Sequence, residues 1–230
     1  MDISREFDQW AIAGRDRGME DRHWHTAKHA LAEMPVESGQ SVLDLGTGSG
    51  YALRALNDTT GLERGIGIDA APQMVRNART YTDADSIEFI QGAFEELPLG
   101  SDAVDHAFSM EAFYYARDPD TVLDELHRVI KPGGTFYCGV NFFEESEETH
   151  RWQDRFDIEM ILWDRQAYRE AFRRAGFEVA AQRCIPDEET EIPPESEFPD
   201  GEFDSREAMI DRFRRWGTLL TVGVATSDTP

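Results

Sequence analysis

The apolar positions of this chain change period repeatedly. Short, nearly continuous runs at 41–45 (SVLDL), 65–69 (GIGID), 87–91 (IEFIQ), 103–109 (AVDHAFS) and 135–141 (TFYCGVN) alternate with stretches whose apolar residues return every three or four positions. The short runs predict buried strands and the spaced ones amphipathic helices, an alternation that implies an α/β fold with a parallel sheet flanked by helices. The clearest helix follows Asp118, a capping residue, and Pro119, a good first-turn residue; Val122, Leu126, Val129 and Ile130 mark its apolar face. Lys131-Pro132-Gly133-Gly134 predicts its end, with the fifth strand starting at Thr135. Further helices are expected over 49–57, 72–80 and 164–175, and about forty residues of helical character precede the first strand. A sixth strand is expected over 176–183, a polar, proline-bearing surface insertion over 186–204, and then a short helix before GTLLTVGVAT at 217–226, the last strand. At 230 residues these elements fit one domain: a helical lid over 1–40, a core over 41–142 and a cover over 143–230.

Composition narrows the setting. Acidic residues outnumber basic ones 46 to 23, a formal charge of −23, and Lys28 and Lys131 are the only lysines. Such an exterior repels itself in dilute buffer, but the screening length falls to about 3 Å at 1 M salt. We read the acidity as adaptation to a salty cytoplasm. It also makes the surface a poor platform for nucleic acid, whose binding depends on neutralising phosphates. No apolar run approaches the roughly 18 residues of a membrane helix, and the start, MDISREFDQW, lacks the apolar core of a secretion signal, so a cytoplasmic location is expected. Cys138 and Cys184 read as small buried residues, and no metal is expected, because Glu20 with His23 and Lys28 with His29 give only a weak ligand spacing.

One stretch carries the chemistry. VLDLGTGSGY, residues 42–51, ends a buried strand on Asp44 and then places glycines at 46, 48 and 50. Glycines between a strand and a helix let backbone lie against a ligand. The dinucleotide fingerprint G-x-G-x-x-G would need a glycine where Tyr51 stands, and a carboxylate two residues ahead of the turn would repel pyrophosphate. Asp69 ends the second strand run 25 positions after Asp44, suited to accept hydrogen bonds from two ribose hydroxyls.

DLGTGSG resembles the first motif of the class I S-adenosylmethionine-dependent methyltransferases. GIGIDAAPQM, IEFIQGAFEELPL and FSMEAFYYARDP resemble the next three in the same order, so the likeness spans about 41–142. The resemblance implies a Rossmann-like seven-stranded sheet in the order 3-2-1-4-5-7-6, with only the seventh strand antiparallel. It implies S-adenosylmethionine as cofactor and S-adenosylhomocysteine as product. Asp44, Gly46, Thr47, Gly48 and Gly50 would then meet the methionine part, Asp69 and Ala70 the ribose, and Met74 the adenine face. Ala93 stands where the family has an aspartate for the adenine amino group, leaving the Phe94 amide to reach the ring. Ser109 and Met110 would offer carbonyls to the methionine end, and Tyr115 stands where many relatives carry a histidine above the reacting centre. Ala71 replaces a common capping serine, at a cost of about 1 kcal/mol.

Methyl transfer is an in-line displacement that rests on alignment, with a base only where the acceptor must lose a proton. From the lid, Met19, Glu20, His23 and Trp24 are candidates to face the cofactor, with His23, Glu20 or Tyr115 as catalytic residues. From the cover, Tyr114, Asn141, Phe142, Phe143, His150 and Trp152 are candidates for an aromatic acceptor pocket. The expected partner is a small-molecule substrate, without nucleic acid or membrane. The alternative, to which Ala93 lends weight, is a cofactor-binding sensor or scaffold subunit without catalysis.

Overall fold

Every residue of β1 (Ser41–Leu45) is buried, as a central strand covered on both faces must be. The computed structural model describes residues 3–156 and 159–227. It sets β1 between β2 (Arg64–Asp69) and β4 (Val104–Met110), with β3 (Ile87–Gln91) outside β2. On the other side follow β5 (Ile130–Val140), β7 (Thr218–Ala225) and β6 (Phe177–Ile185). The order 3-2-1-4-5-7-6, with β7 antiparallel to both neighbours, is the one the resemblance implied. One face buries Leu43, Ile66, Phe113, Phe136 and Phe172, and the other Val42, Leu53, Phe108 and Leu220.

The helices are α1 (Ile3–Ile12), α2 (Asp16–Glu33), α3 (Tyr51–Thr60), α4 (Pro72–Tyr81), α5 (Pro119–Val129), α6 (Arg151–Phe156), α7 (Arg165–Arg174) and α8 (Arg206–Ile210). α5 starts as its sequence dictates, with Asp118 accepting from the Thr121 N–H at 3.2 Å. Its end differs. β5 begins at Ile130, directly after the helix, and Lys131 to Gly134 form a bulge where the pairing with β4 jumps from Val104↔Ile130 to His106↔Thr135. Two adjacent glycines thus interrupt a strand that they were expected to precede.

The lid is two helices, and α1 supplies what Ala71 lacks. The Asp8 carboxylate accepts from the Gln73 N–H at 2.6 Å, so a side chain 65 positions away caps α4. α1 thereby sits over the carboxyl end of β2, with Ala11 packed against Ala71 and Met74. The 186–204 stretch is also more than a surface insertion. Asp187 and Phe203 are buried, and Asp187 accepts from the N–H groups of Glu189 and Thr190 while facing His25 Nδ1 at 3.1 Å. Beyond it, α8 runs into a π-helical turn, Asp211–Trp216, that leads to β7.

Asp8→Ala should cost about 1 kcal/mol of stability, the usual loss for a helix cap. It should also speed amide exchange in α1 while leaving the strands protected. Unchanged exchange in α1 would show that the apolar contacts alone hold this helix.

Candidate active site

The carboxyl ends of β1, β2 and β4 meet where the strand order reverses, the usual crevice of an open α/β sheet. The turn after β1 is fixed by two hydrogen bonds, from the Gly46 and Thr47 N–H groups to the Ile68 carbonyl at 2.8 and 3.0 Å. Gly46, Gly48 and Gly50 all have positive φ, +75°, +53° and +80°. Their surroundings differ. A Cβ on Gly46 would lie 2.2 Å from the Ala112 Cβ and one on Gly50 2.5 Å from the Phe89 ring, whereas Gly48 faces open space in the crevice.

Three carboxylates stand at this edge. Asp44 is 3% exposed and accepts from the Thr47 hydroxyl at 2.7 Å; burial pushes its pKa up to about 7. Asp69 accepts from the N–H groups of Gly48 and Ala71, both at 2.9 Å, and burial pushes it up to about 6. Each Asp69 oxygen therefore keeps a lone pair for a further donor. Glu111, directly after β4, is 6% exposed and accepts from the Asn141 N–H at 3.1 Å and from the hydroxyls of Tyr114 at 3.2 Å and Thr218 at 3.4 Å. Burial pushes it up to about 7, against the opposing pull of Arg212 and those donors. Its φ of +57° is unusual for glutamate and costs about 1–3 kcal/mol. The Glu111 N–H, bonded to the Gly139 carbonyl at 2.8 Å, holds it there.

Gly46, Thr47, Gly48, Asp69, Met74 and Met110 line the crevice, closed from the lid by Phe7, Met19, Glu20 and His23. Asp44 lies beneath Thr47. The other proposed cofactor residues lie elsewhere: Gly50 packs on Phe89, the Ser109 hydroxyl donates to the Leu45 carbonyl at 2.9 Å, and the Ala70 carbonyl accepts from Ser4. Ala93 is exposed, and Phe94 lies against Gly46 instead of in the crevice. Two buried polar atoms of residues lining the crevice have no partner among the described residues, the Tyr51 hydroxyl and Asp16 Oδ1.

A second cavity of about 570 Å³ opens from the first and shares Phe7, Met19, His23, Glu111 and Tyr115 with it. Tyr114, Trp152, Phe203 and Phe213 give it aromatic walls, with Asn141 and Arg212 as polar points. Trp24 and Phe143, expected on this side, are not part of it. Trp24 is 37% exposed on the outer side of α2, edge-on to Tyr51, and Phe143 is fully buried behind the wall against Trp216. Phe142 also backs the wall, stacked on Trp152, and His150 Nε2 lies 3.3 Å from the Phe143 carbonyl.

The base candidates separate on their partners. Glu20 is occupied, accepting from the Ser49 hydroxyl at 2.7 Å and from Arg54 at 3.0 Å. Burial raises the Tyr115 phenol, which stays protonated, and burial with Arg22 and Arg212 lowers His23 to about 4, leaving a weakly basic imidazole. Among the described residues Glu111, which no local pattern in the sequence marks, is the one carboxylate bordering both cavities, and its pKa lies near neutrality. Among the described residues no three His, Cys, Asp or Glu side chains are grouped to hold a metal, and no helix is long and apolar enough to cross a membrane.

Asp44 gives a stability test. Its folded pKa, about 7, lies above the unfolded value of 3.8, so the folded state binds the extra proton and stability falls as pH rises from about 4 to 7. Asp44→Asn should therefore raise Tm at pH 8 by at least about 3 °C and change it little at pH 4. A lower Tm at pH 8 would mean that the ionised carboxylate is stabilised in place.

The comparisons agree with this geometry. Residues 43–138 match the family model described as a methyltransferase domain. The methyltransferase chain of a complex with the Haloferax volcanii Trm112 methyltransferase activator is 59% identical, with a TM-score of 0.94 over 96% of this chain and 98% of that one. The sterol 24-C-methyltransferase of Kluyveromyces lactis is 26% identical over 180 residues, 72% of this chain and 48% of that protein. This chain thus spans about half the length of the curated relatives it matches. YcgJ from Bacillus subtilis, at 17% identity and a TM-score of 0.67 over 88% of this chain and 99% of that one, shows the shared fold alone. The complex corrects one expectation. A small-molecule substrate was the partner expected of the enzyme from the sequence, whereas this relative is bound to an activator protein, a class of partner that no motif in the chain had signalled. With strand order, glycine turn, strand-end acids and these likenesses in agreement, the chain belongs to the class I S-adenosylmethionine-dependent methyltransferases.

Proposed function

We propose that this enzyme methylates a small molecule held in the aromatic chamber, with Glu111 receiving the acceptor's proton, and that it works paired with a Trm112-type activator. The cofactor fits the crevice on chemical grounds. It brings an ammonium and a sulfonium to a crevice lined by four carboxylates, Asp16, Glu20, Asp69 and Glu111, with Asp44 beneath, and its polar groups match the unpartnered Tyr51 hydroxyl and Asp16 Oδ1. When bound, S-adenosylmethionine supplies a methyl group activated by the sulfonium.

The observation that carries the reading is the opening between crevice and chamber at Met19, His23, Glu111 and Tyr115. In this reading the Gly46–Gly48 backbone and Asp69 hold the donor while the aromatic walls orient the acceptor, so alignment supplies most of the acceleration. Glu111 then takes a proton from the attacking oxygen or nitrogen. Tyr114, Asn141 and Thr218 fix its carboxylate, and Tyr115 and Phe7 help exclude water. The chamber's acids outnumber its arginines five to three, which with its aromatic walls supports a small acceptor over a polyanion. A sensor without catalysis is not favoured, because the donor crevice opens directly onto a space for a second reactant.

Two experiments test this. Transfer of labelled methyl into the small organic fraction of an extract from a salt-loving host, in molar potassium chloride, should rise with pH through about 7. Glu111→Gln should lower it roughly 100-fold or more and flatten that profile while S-adenosylhomocysteine still binds. Label found only in macromolecules would sink the small-molecule acceptor, and an unaltered profile in the variant would remove Glu111 as base. Separately, the purified chain mixed with Haloferax volcanii Trm112 should elute as a one-to-one complex in molar salt. Elution as two separate species would refute the pairing.

A further inference from the structure

Arg212 is the odd group in the chamber. It is 6% exposed, and among the described residues its guanidinium makes one hydrogen bond, from Nη1 to the Gly217 carbonyl at 2.8 Å. Nε is buried with no hydrogen-bond partner among the described residues. The guanidinium lies over two ring faces, 5.0 Å from the centroid of Phe213 and 5.6 Å from that of Trp152. A guanidinium carries five N–H donors in a planar fork, and a buried cation that spends one of them is incomplete. With Nη1 tied and Nε unpartnered, the Nε–Nη2 edge remains, the side-on fork that a carboxylate grips with two parallel hydrogen bonds.

The acids nearby do not fill that edge. Asp187 is used by His25, by the Thr190 hydroxyl at 2.5 Å and by two backbone N–H groups at 2.9 Å. Glu148 is paired with Arg151, Asp200 turns back on the N–H groups of Glu202 and Phe203, and Glu202 is exposed. Glu111 already accepts from three donors. A second unpartnered atom lines the same chamber: Asn141 Oδ1, a buried acceptor beside the Glu111 carboxylate.

We propose that the methyl acceptor is a flat carboxylic acid, its carboxylate gripped by the Nε–Nη2 edge of Arg212 and its separate hydroxyl or amine directed toward Asn141 and Glu111. This rests on the small-molecule reading and names its substrate class. Arg212 lies outside the donor crevice, so the carboxylate is the handle and the hydroxyl or amine the nucleophile. The nucleophile's lone pair forms the new bond to the methyl carbon as the carbon–sulfur bond breaks. The bonding pair stays on sulfur as the neutral thioether of S-adenosylhomocysteine, and the nucleophile's proton passes to Glu111. Arg212 is thus a binding and specificity residue. The grip is internal, so molar salt, which screens surface charge within about 3 Å, leaves it largely intact.

The test uses calorimetry on the whole chain saturated with S-adenosylhomocysteine in 2 M potassium chloride. 4-Hydroxybenzoate and 4-hydroxyphenylacetate should bind at least about tenfold more tightly than 4-hydroxybenzamide and tyramine, which share the flat body but lack the carboxylate. Arg212→Gln should erase that preference, and Arg212→Lys, which keeps the charge but loses the fork, should retain only part of it. S-adenosylhomocysteine binding confirms that each variant is folded, and the comparison among ligands on the unaltered protein needs no variant. Equal binding of amide or amine, full acid binding by Arg212→Gln, or no acid binding by a protein that holds S-adenosylhomocysteine would overturn the proposal. Methyl transfer in extract without acid binding would sink the acid alone. Acid binding without any transfer would sink the small-molecule transfer reading instead.

Discussion

Three carboxylates at the carboxyl edge of β2, β1 and β4, none of them in an ion pair among the described residues, are the constraint around which this molecule is arranged. Burying an ionised acid is costly, and Asp44, Asp69 and Glu111 all show it in raised pKa values. The sheet tolerates them because each is held by fixed donors: the Thr47 hydroxyl, the Gly48 and Ala71 amides, and the groups from Tyr114, Asn141 and Thr218. What those donors leave unpaid is a net need for positive charge. A sulfonium with an ammonium is therefore a physical complement to the crevice as well as the family's cofactor, and the glycine turn brings backbone close enough to use it. Stability given up at such a site is a common cost of function.

The parts of this arrangement that were legible in sequence are those written locally. A strand ending on Asp44 before three alternating glycines, and a second ending on Asp69, each sit in a window of about ten residues. The strand order was legible only through the family resemblance, because periodicity says nothing of which strands adjoin. Glu111 stayed hidden because its meaning comes from a positive φ and from partners at 114, 141 and 218, none of which a local pattern encodes. Arg212 reads locally as one of several arginines in DRFRRW, and only the fold drives it inward beneath Trp152. Trp24 and Phe143 erred the other way. Both are aromatic and near the site in sequence, but helix rotation turns one outward and the wall covers the other. The missing serine at 71 is made good by Asp8, a compensation visible only once α1 and α4 are seen in contact.

The acidic exterior and the lid bear on one another. α2 is fastened to the 186–204 stretch and its neighbours by His25 with Asp187, Lys28 with Glu189 and Arg183 with Glu33. The last two pairs are exposed, and pairs of that kind contribute little even in dilute buffer and less in concentrated salt. The buried contact between the hydroxyls of Thr26 and Thr218, at 2.8 Å, does not depend on ionic strength in that way. In a salt-rich setting the hold of α2 on the sheet therefore passes from surface charge to this internal pair and to Ala27, Ala30 and Leu31 beneath it.

The same reasoning separates the two kinds of charge in this protein. Of the chain's 46 acids and 23 bases, the described residues bury only Asp16, Asp44, Glu111, Asp187 and Arg212; the rest make a negative coat that salt silences, so it can steer little and select nothing. Inside, the charges are few, fixed by packing and shielded from ions: carboxylates at the strand ends and one guanidinium across the chamber. Recognition in molar salt has to be carried by groups of the second kind, because only there does a charge keep its reach. A fold that buries Glu111 in strained backbone and Arg212 beside aromatic rings has placed its selectivity where the solvent cannot cancel it.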